Sequence, residues 1–246
     1  MSNDLREELE KENVTGGTPV EDLSSGVKIK SINGFVQKYN KIIILSVIFI
    51  VVVLGLVLLI RSNSAKNEVS ASKALSRIEH YYIKGEYENA LFGNDSLPTV
   101  RGEKIIGLVE IVKEYASTTA GDRAALYAAD SYFNIGKYSE AKGYYEKAIK
   151  SKIDVISVGG LAGSAACNEK NGNYKEAASE YSRAAELIPE DMLKMRYLYF
   201  AGLCNEKSGN KDESLKIYRT IVELNRYGEF NNLAKAGIIR LGAEIE

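Results

Sequence analysis

Nucleophilic, acid–base and metal chemistry each need a thiol, an imidazole or paired carboxylates at a fixed spacing. This chain offers two cysteines, Cys167 and Cys204, and a single histidine, His80. Each cysteine stands five residues before a glycine, Gly172 and Gly209, and Ser131 holds the same place before Gly136. Equivalent positions on neighbouring helices lie roughly 8–10 Å apart, beyond the ~7 Å Cα separation a disulfide spans. Both cysteines are therefore expected to be reduced, buried packing residues in a site that wants a small side chain. His80 has no second His or Cys near it in sequence and reads as an ordinary helix residue. Gly159-Gly160 and Gly163 lack the spacing of a phosphate-binding loop and are expected to let helices approach closely. Lys137 and Glu140 read as a solvated helix face. No catalytic constellation, metal site or cofactor follows from these residues, so neither an enzyme nor a small-molecule binder is expected.

The charges point the same way. The 32 Lys/Arg and 33 Asp/Glu nearly cancel. Residues 1–41 hold six basic against seven acidic side chains, so the balance is local as well. With no basic field to attract phosphate backbones, nucleic acid is excluded as an expected partner.

Stepping out from these residues, the chain divides by hydropathy. Residues 42–60, IIILSVIFIVVVLGLVLLI, are nineteen positions without a charge. As a helix they rise roughly 28 Å, close to the ~30 Å hydrocarbon core of a bilayer. A single transmembrane helix is expected, with Ile42, Phe49, Leu54 and Ile60 among its lipid-facing residues. A cleaved signal peptide fits less well, because the apolar run exceeds the usual ~7–15 residues and 41 residues precede it. Lys28, Lys30, Lys38 and Lys41 precede the span with no acid among them, which places the N-terminus in the cytoplasm and the following domain, in a bacterium, in the periplasm. Residues 1–27 are polar and are expected to be disordered. Ile29, Ile32, Val36 and Tyr39 recur at helical spacing among lysines over 28–41. They fit either a helix lying on the membrane surface or a plain basic flank.

After the span an internal period appears. Gly136-Lys-Tyr-Ser-Glu-Ala141, Gly172-Asn-Tyr-Lys-Glu-Ala177 and Gly209-Asn-Lys-Asp-Glu-Ser214 align, their glycines spaced by 36 and 37 residues. Tyr145, Tyr181 and Tyr218 follow four positions after the Ala or Ser, and Ala148, Ala184 and Ile221 three further on. Glycine at a helix-to-helix turn takes a positive φ without strain, and small residues let paired helices close up. These phrases resemble the tetratricopeptide repeat, with units expected at about 119–153, 155–190 and 192–228. Gly85-Glu-Tyr-Glu-Asn-Ala90 begins a degenerate unit over 66–118, interrupted by turn formers at 92–102 and a new helix at about 103–115. Thr118 or Thr119 is positioned to cap the next helix, and a capping helix is expected at 230–244. The fold class is all-α: one transmembrane helix followed by a tetratricopeptide-repeat solenoid.

The resemblance implies that the first helix of each repeat lines a concave face. In the first clear repeat that face would carry Arg123, Leu126, Asp130, Phe133 and Asn134. The second would carry Gly159, Ala162, Ala166, Glu169 and Lys170, and the third Arg196, Tyr199, Leu203, Glu206 and Lys207. Large groups at both ends with small ones between describe a protein-binding trough for a peptide, or else surfaces covered by neighbouring helices. Some tetratricopeptide domains clamp a C-terminal carboxylate with Lys and Asn; Leu126 and Asp130 at two of those places speak against that mode here.

Phe35-Val-Gln-Lys-Tyr-Asn-Lys41 leading into one span, then the degenerate unit and three repeats, resembles the YfgM-like family over residues 28–246. That resemblance implies a bacterial inner-membrane adaptor beside the SecYEG translocon, with a PpiD-like periplasmic chaperone or exported clients as protein partners. A scaffold for envelope assembly or cell division is the alternative reading.

Overall fold

The turn phrases and the Ala-, Lys- and Glu-rich stretches between them specify helices, and the computed structural model is helical wherever regular structure is described. It describes residues 29–93, 97, 99, 102, 104–224 and 227–245; for residues 29–40, 42–44 and 56–62 only the backbone is described. The tail expected to be disordered, residues 1–27, lies outside these, as does most of the 92–102 insertion.

Two units are distinguished, residues 1–58 and 59–246. The first holds the N-terminal part of helix α1 (Ile29–Ile83). Its described side chains from Leu45 to Leu54 are exposed, Phe49 at 68% and Leu54 at 57%. Ile42 and Ile60 are helical, but their side chains lie outside the described residues. Among the described residues no helix is long and apolar enough to cross a membrane. The part described with side chains, 45–55, rises only roughly 16 Å.

The second unit contains the end of α1, then α2 (Tyr87–Phe92), α3 (Leu108–Glu114), α4 (Thr119–Asn134) and α5 (Tyr138–Ala148). There follow α6 (Asp154–Lys170), α7 (Tyr174–Leu187), α8 (Asp191–Lys207), α9 (Lys211–Leu224) and α10 (Glu229–Arg240). Gly136 ends α4 with φ +79, where its N–H donates to Phe133 O at 3.0 Å and Lys137 N–H donates to Tyr132 O at 2.9 Å. This pair of bonds closes the last carbonyls of a helix around a left-handed residue. It recurs at Gly85, Gly172, Gly209 and Gly242, all with φ between +76 and +81. The fifth instance revises the C-terminal end. The helix expected over 230–244 stops at Arg240, and Gly242 then makes the same turn that separates the two helices of each repeat.

The first helices of successive units run parallel. Tyr127 Oη donates to Glu79 and Tyr82 Oη donates to Asp130, both across an offset of 48 residues, which aligns α1 with α4 in one direction. Lys207 pairs with Glu169 and Arg240 with Glu206, carrying the alignment through α6, α8 and α10. The N-termini of α4, α6, α8 and α10 therefore share one edge with the Glu68 turn of α1, and the five turn glycines share the other. At the first edge Glu68 accepts from Thr119 N at 2.7 Å and Ala120 N at 3.0 Å, satisfying two otherwise free donors of α4. Of the two candidate caps it is Thr118 that serves, accepting from Gly121 N at 2.9 Å.

Tyrosines from the second helices wedge between consecutive first helices. Tyr145 on α5, 3% exposed, lies against Gly163 of α6, and Tyr218 on α9 is fully buried between Gly202 of α8 and Gly237 of α10. Glycine is needed there because any Cβ would overlap the ring. The Ser214 substitution of the third repeat also has a physical account: its buried hydroxyl donates to Gly202 O at 2.9 Å. The helix expected at about 103–115 begins only at Leu108. Gly107 before it is extended and pressed against the backbone of Leu91 to Gly93, and residues 104–107 are not helical.

Candidate functional site

The face formed by α4, α6 and α8 is built from positions that repeat relative to each turn glycine. Thirteen residues before it stand Arg123, Gly159 and Arg196; ten before it, Leu126, Ala162 and Tyr199; six before it, Asp130, Ala166 and Leu203. The parallel packing brings these rows together. Gly159 abuts Leu126, whose Cδ2 would lie 3.1 Å from a Cβ placed there. Gly159, Ala162 and Ala166 stay partly exposed, so the middle helix forms a shallow floor between two bulkier neighbours.

The two walls are less open than their composition suggests. Phe133 is half-buried and sits edge-on to Tyr138, the rings 5.1 Å apart. Tyr199 is half-buried in an aromatic group, 6.0 Å from both Tyr218 and Phe230 and 6.1 Å from Phe200. Both aromatics thus pack against their own solenoid. Leu126 and Leu203 are half-buried, and Asn134 is exposed at the rim.

Asp130 is held from two sides. It accepts from Tyr145 Oη at 2.6 Å and Tyr82 Oη at 3.0 Å, and Tyr82 stacks on Tyr127 at 4.4 Å. Burial raises the Asp130 carboxyl above the ordinary aspartate value, against the lowering effect of the two phenols. Burial likewise raises both tyrosines, with Asp130 adding to the shift. This cluster was not anticipated as a unit, because Tyr82 lies 48 residues away beyond the insertion.

Charges on the face sort into engaged and uncommitted. Glu169 pairs with Lys207 at 2.6 Å, and Lys207 also lies 5.3 Å from the Tyr174 ring centroid. Glu206 receives two bonds from Arg240, at 2.6 and 2.7 Å, and one from Tyr218 Oη at 3.1 Å. Those bonds hold its carboxyl below the usual range. Arg123, Lys170 and Arg196 are exposed, Arg196 resting over the Phe200 ring at 5.7 Å. The carboxylates of this face are engaged by internal partners, while three cations stay exposed, Arg123 lining a pocket with Glu68 and Glu79 and Arg196 resting on Phe200. What the arrangement can do is receive an extended or helical chain whose charge is negative.

Cys167 and Cys204 are buried and free; burial pushes their thiols up to about 11 and about 12, so both stay protonated near neutral pH. His80 is an exposed residue of α1, edge-on to Tyr81. Among the described residues no cluster of three or more His, Cys, Asp or Glu could hold a metal ion.

Comparison with protein families covers the middle of this architecture. Models of the tetratricopeptide repeat match residues 126–192 and 196–227, so these stretches are tetratricopeptide repeats. No curated protein matches the chain.

Proposed function

For a chain of tetratricopeptide repeats, modules that serve as non-catalytic protein-binding scaffolds, we propose a membrane-anchored adaptor that holds an acidic segment of another protein across α4, α6 and α8. The observation that carries this reading is the repeated row Arg123–Gly159–Arg196 above a floor of Ala162 and Ala166. Two outward cations flank a site with no side chain of its own. The anchored part rests on the uninterrupted apolar run 42–60, on its helical backbone and on the exposure of every described large side chain from Leu45 to Leu54. The resemblance to the YfgM-like family supports an N-terminus in the cytoplasm and a periplasmic domain. The same resemblance makes SecYEG, a PpiD-like chaperone or exported clients the partners. An envelope-assembly scaffold is the competing function on the same surface.

A photo-crosslinking residue at Ala162 in intact cells tests this. Adducts with translocon subunits, a chaperone or exported proteins are expected. Arg123→Glu combined with Arg196→Glu is expected to reduce their yield at least ten-fold while leaving the melting curve within about 0.5 kcal/mol of wild type, since both arginines are exposed. Adducts confined to envelope-assembly proteins would transfer the function to the scaffold reading, and unchanged yield in the double variant would remove the arginines from the site. Alkaline extraction tests the anchor separately: the protein is expected to stay with the membrane pellet.

A further inference from the structure

The edge of the solenoid where second helices end and first helices begin carries apolar side chains that packing does not use. Val155 is 67% exposed, Leu187 51%, Met192 66% and Leu224 51%. Val155 and Met192 occupy the same repeat position, as do Leu187 and Leu224, so the exposure follows the repeat along the edge. The opposite edge shows large exposed apolar groups at its two ends, Ile83 and Ile239. Between them its turns present Lys137, Lys175, Lys211 and acidic neighbours.

At the α5 end of the same edge lies a cavity of about 480 Å³ floored by Val112, Ala116, Gly121 and Ala125. Lys113, Lys147 and Lys150 surround it, all three exposed; Lys113 keeps a solvent-exposed pairing with Glu110 at 3.4 Å, and Lys147 lies 4.3 Å over the Tyr144 ring. Asp122, the one acid lining it, accepts from Ser151 Oγ at 2.7 Å. Lysine stems walling an apolar floor, with ammonium groups at the rim, match a ligand that joins an anionic head to a hydrocarbon body. Asp154, Glu190, Asp191 and Glu229 also lie on this edge, so the attraction for anions is concentrated at the lysine end.

Chain connectivity selects the occupant. Glu68 sits at the N-terminus of α4, on this edge, and only seven residues of chain lie between it and Ile60 at the end of the apolar run, a rise of roughly 12 Å as helix. Resting on the membrane-anchored reading above, we propose that this edge docks on a bilayer surface containing anionic lipid. Lys113, Lys147 and Lys150 take headgroup phosphates, and Val155, Leu187, Met192 and Leu224 enter the interfacial layer. Docking would fix how the binding face is presented to a chain emerging from the membrane.

Methionine methyl spectra of the full-length chain in lipid nanodiscs test the proposal. The chain has three methionines, Met1, Met192 and Met195, and Met195 is 6% exposed, so it serves as the internal reference. With a nitroxide-headgroup lipid present, the Met192 methyl is expected to broaden far more than that of Met195 in discs of phosphatidylcholine with phosphatidylglycerol. In the Lys113→Gln, Lys147→Gln, Lys150→Gln variant the docked-to-free ratio is expected to fall roughly a hundred-fold, at about five-fold per lysine. Unchanged melting of the variant shows that it still folds. A sharp Met192 signal in anionic discs would overturn the proposal. So would equal broadening in purely zwitterionic discs or in the variant. Failure of the chain to co-elute with discs at all would overturn the anchor reading and this proposal together.

Discussion

Asp130→Ala is expected to destabilise the repeat domain by about 3 kcal/mol, seen as a lower urea midpoint with an unchanged slope. The carboxylate is the acceptor for two phenols, and Tyr145, at 3% exposure, loses its hydrogen-bond partner when that acceptor is removed. A buried donor left unsatisfied costs about 1–3 kcal/mol, and the truncation adds a small cavity between α1, α4 and α5. Asp130→Asn separates these effects from charge. An amide accepts one phenol and donates to the other, so its cost is expected to be under about 1 kcal/mol.

The asparagine variant also fixes the sign of the pH dependence. Because burial raises the Asp130 value in the folded state, the native protein binds that proton more tightly than the unfolded chain. The resulting stabilisation is complete below the ordinary aspartate value, about 3.9, and is lost as pH rises through the raised folded value. Glu206 behaves oppositely: Arg240 lowers its value, so its contribution is present above about 4.3 and disappears on acidification. The stability of wild type relative to Asp130→Asn is therefore expected to fall as pH rises through the window above about 3.9. A rise over that window would mean that the phenol bonds outweigh desolvation.

What was legible in the sequence was whatever recurs. The phrase beginning at Gly136 reappears at Gly172 and Gly209, and a phrase that recurs at a helical-hairpin period identifies the turn, the small packing positions and the tyrosine wedge together. The partner of that wedge was harder to read. Tyr145 reaches Asp130 through a residue type shared by no other repeat, and Tyr82 joins them across an insertion that breaks the period. Asp130 thus had the spacing of a face residue, while its energetics are those of an interior one. Tyr199 and Phe133 were readable as large groups on the first helices. Their engagement by Phe230 and Tyr138 depends on chain direction after the turns, which spacing does not encode. The start of α3 at Leu108 depends on a backbone contact between Gly107 and Leu91, which no propensity argument contains. Gly242 makes the fifth turn, but Glu244 stands where the phrase has Tyr, so the phrase does not repeat there.

Gly163→Ala is the second large effect, and its size comes from one neighbour. Glycine in the middle of α6 is unfavourable for a helix, so adding a methyl group would by itself stabilise by about 1 kcal/mol. At this position the new Cβ would overlap the aromatic carbons of Tyr145. That ring cannot swing aside, since its hydroxyl is bonded to Asp130 at 2.6 Å and its body is 3% exposed. Relief must come from moving α6 away from α5, which also loosens the packing around Ala148 and Cys167, both fully buried. Overpacking of this kind costs about 1–3 kcal/mol or more; a net loss of about 2 kcal/mol is expected, lowering the melting temperature by roughly 4–8 °C. Gly143→Ala is the matched control, because nothing lies within 4 Å of a Cβ built there. It should raise stability by about 0.5–1 kcal/mol. Adding Tyr145→Leu to Gly163→Ala should recover part of the loss, giving a coupling of about 1 kcal/mol or more in a double-mutant cycle. If both alanines raise stability alike, the ring is not wedged between α4 and α6, and the packing that sets the first repeat against the second needs another origin.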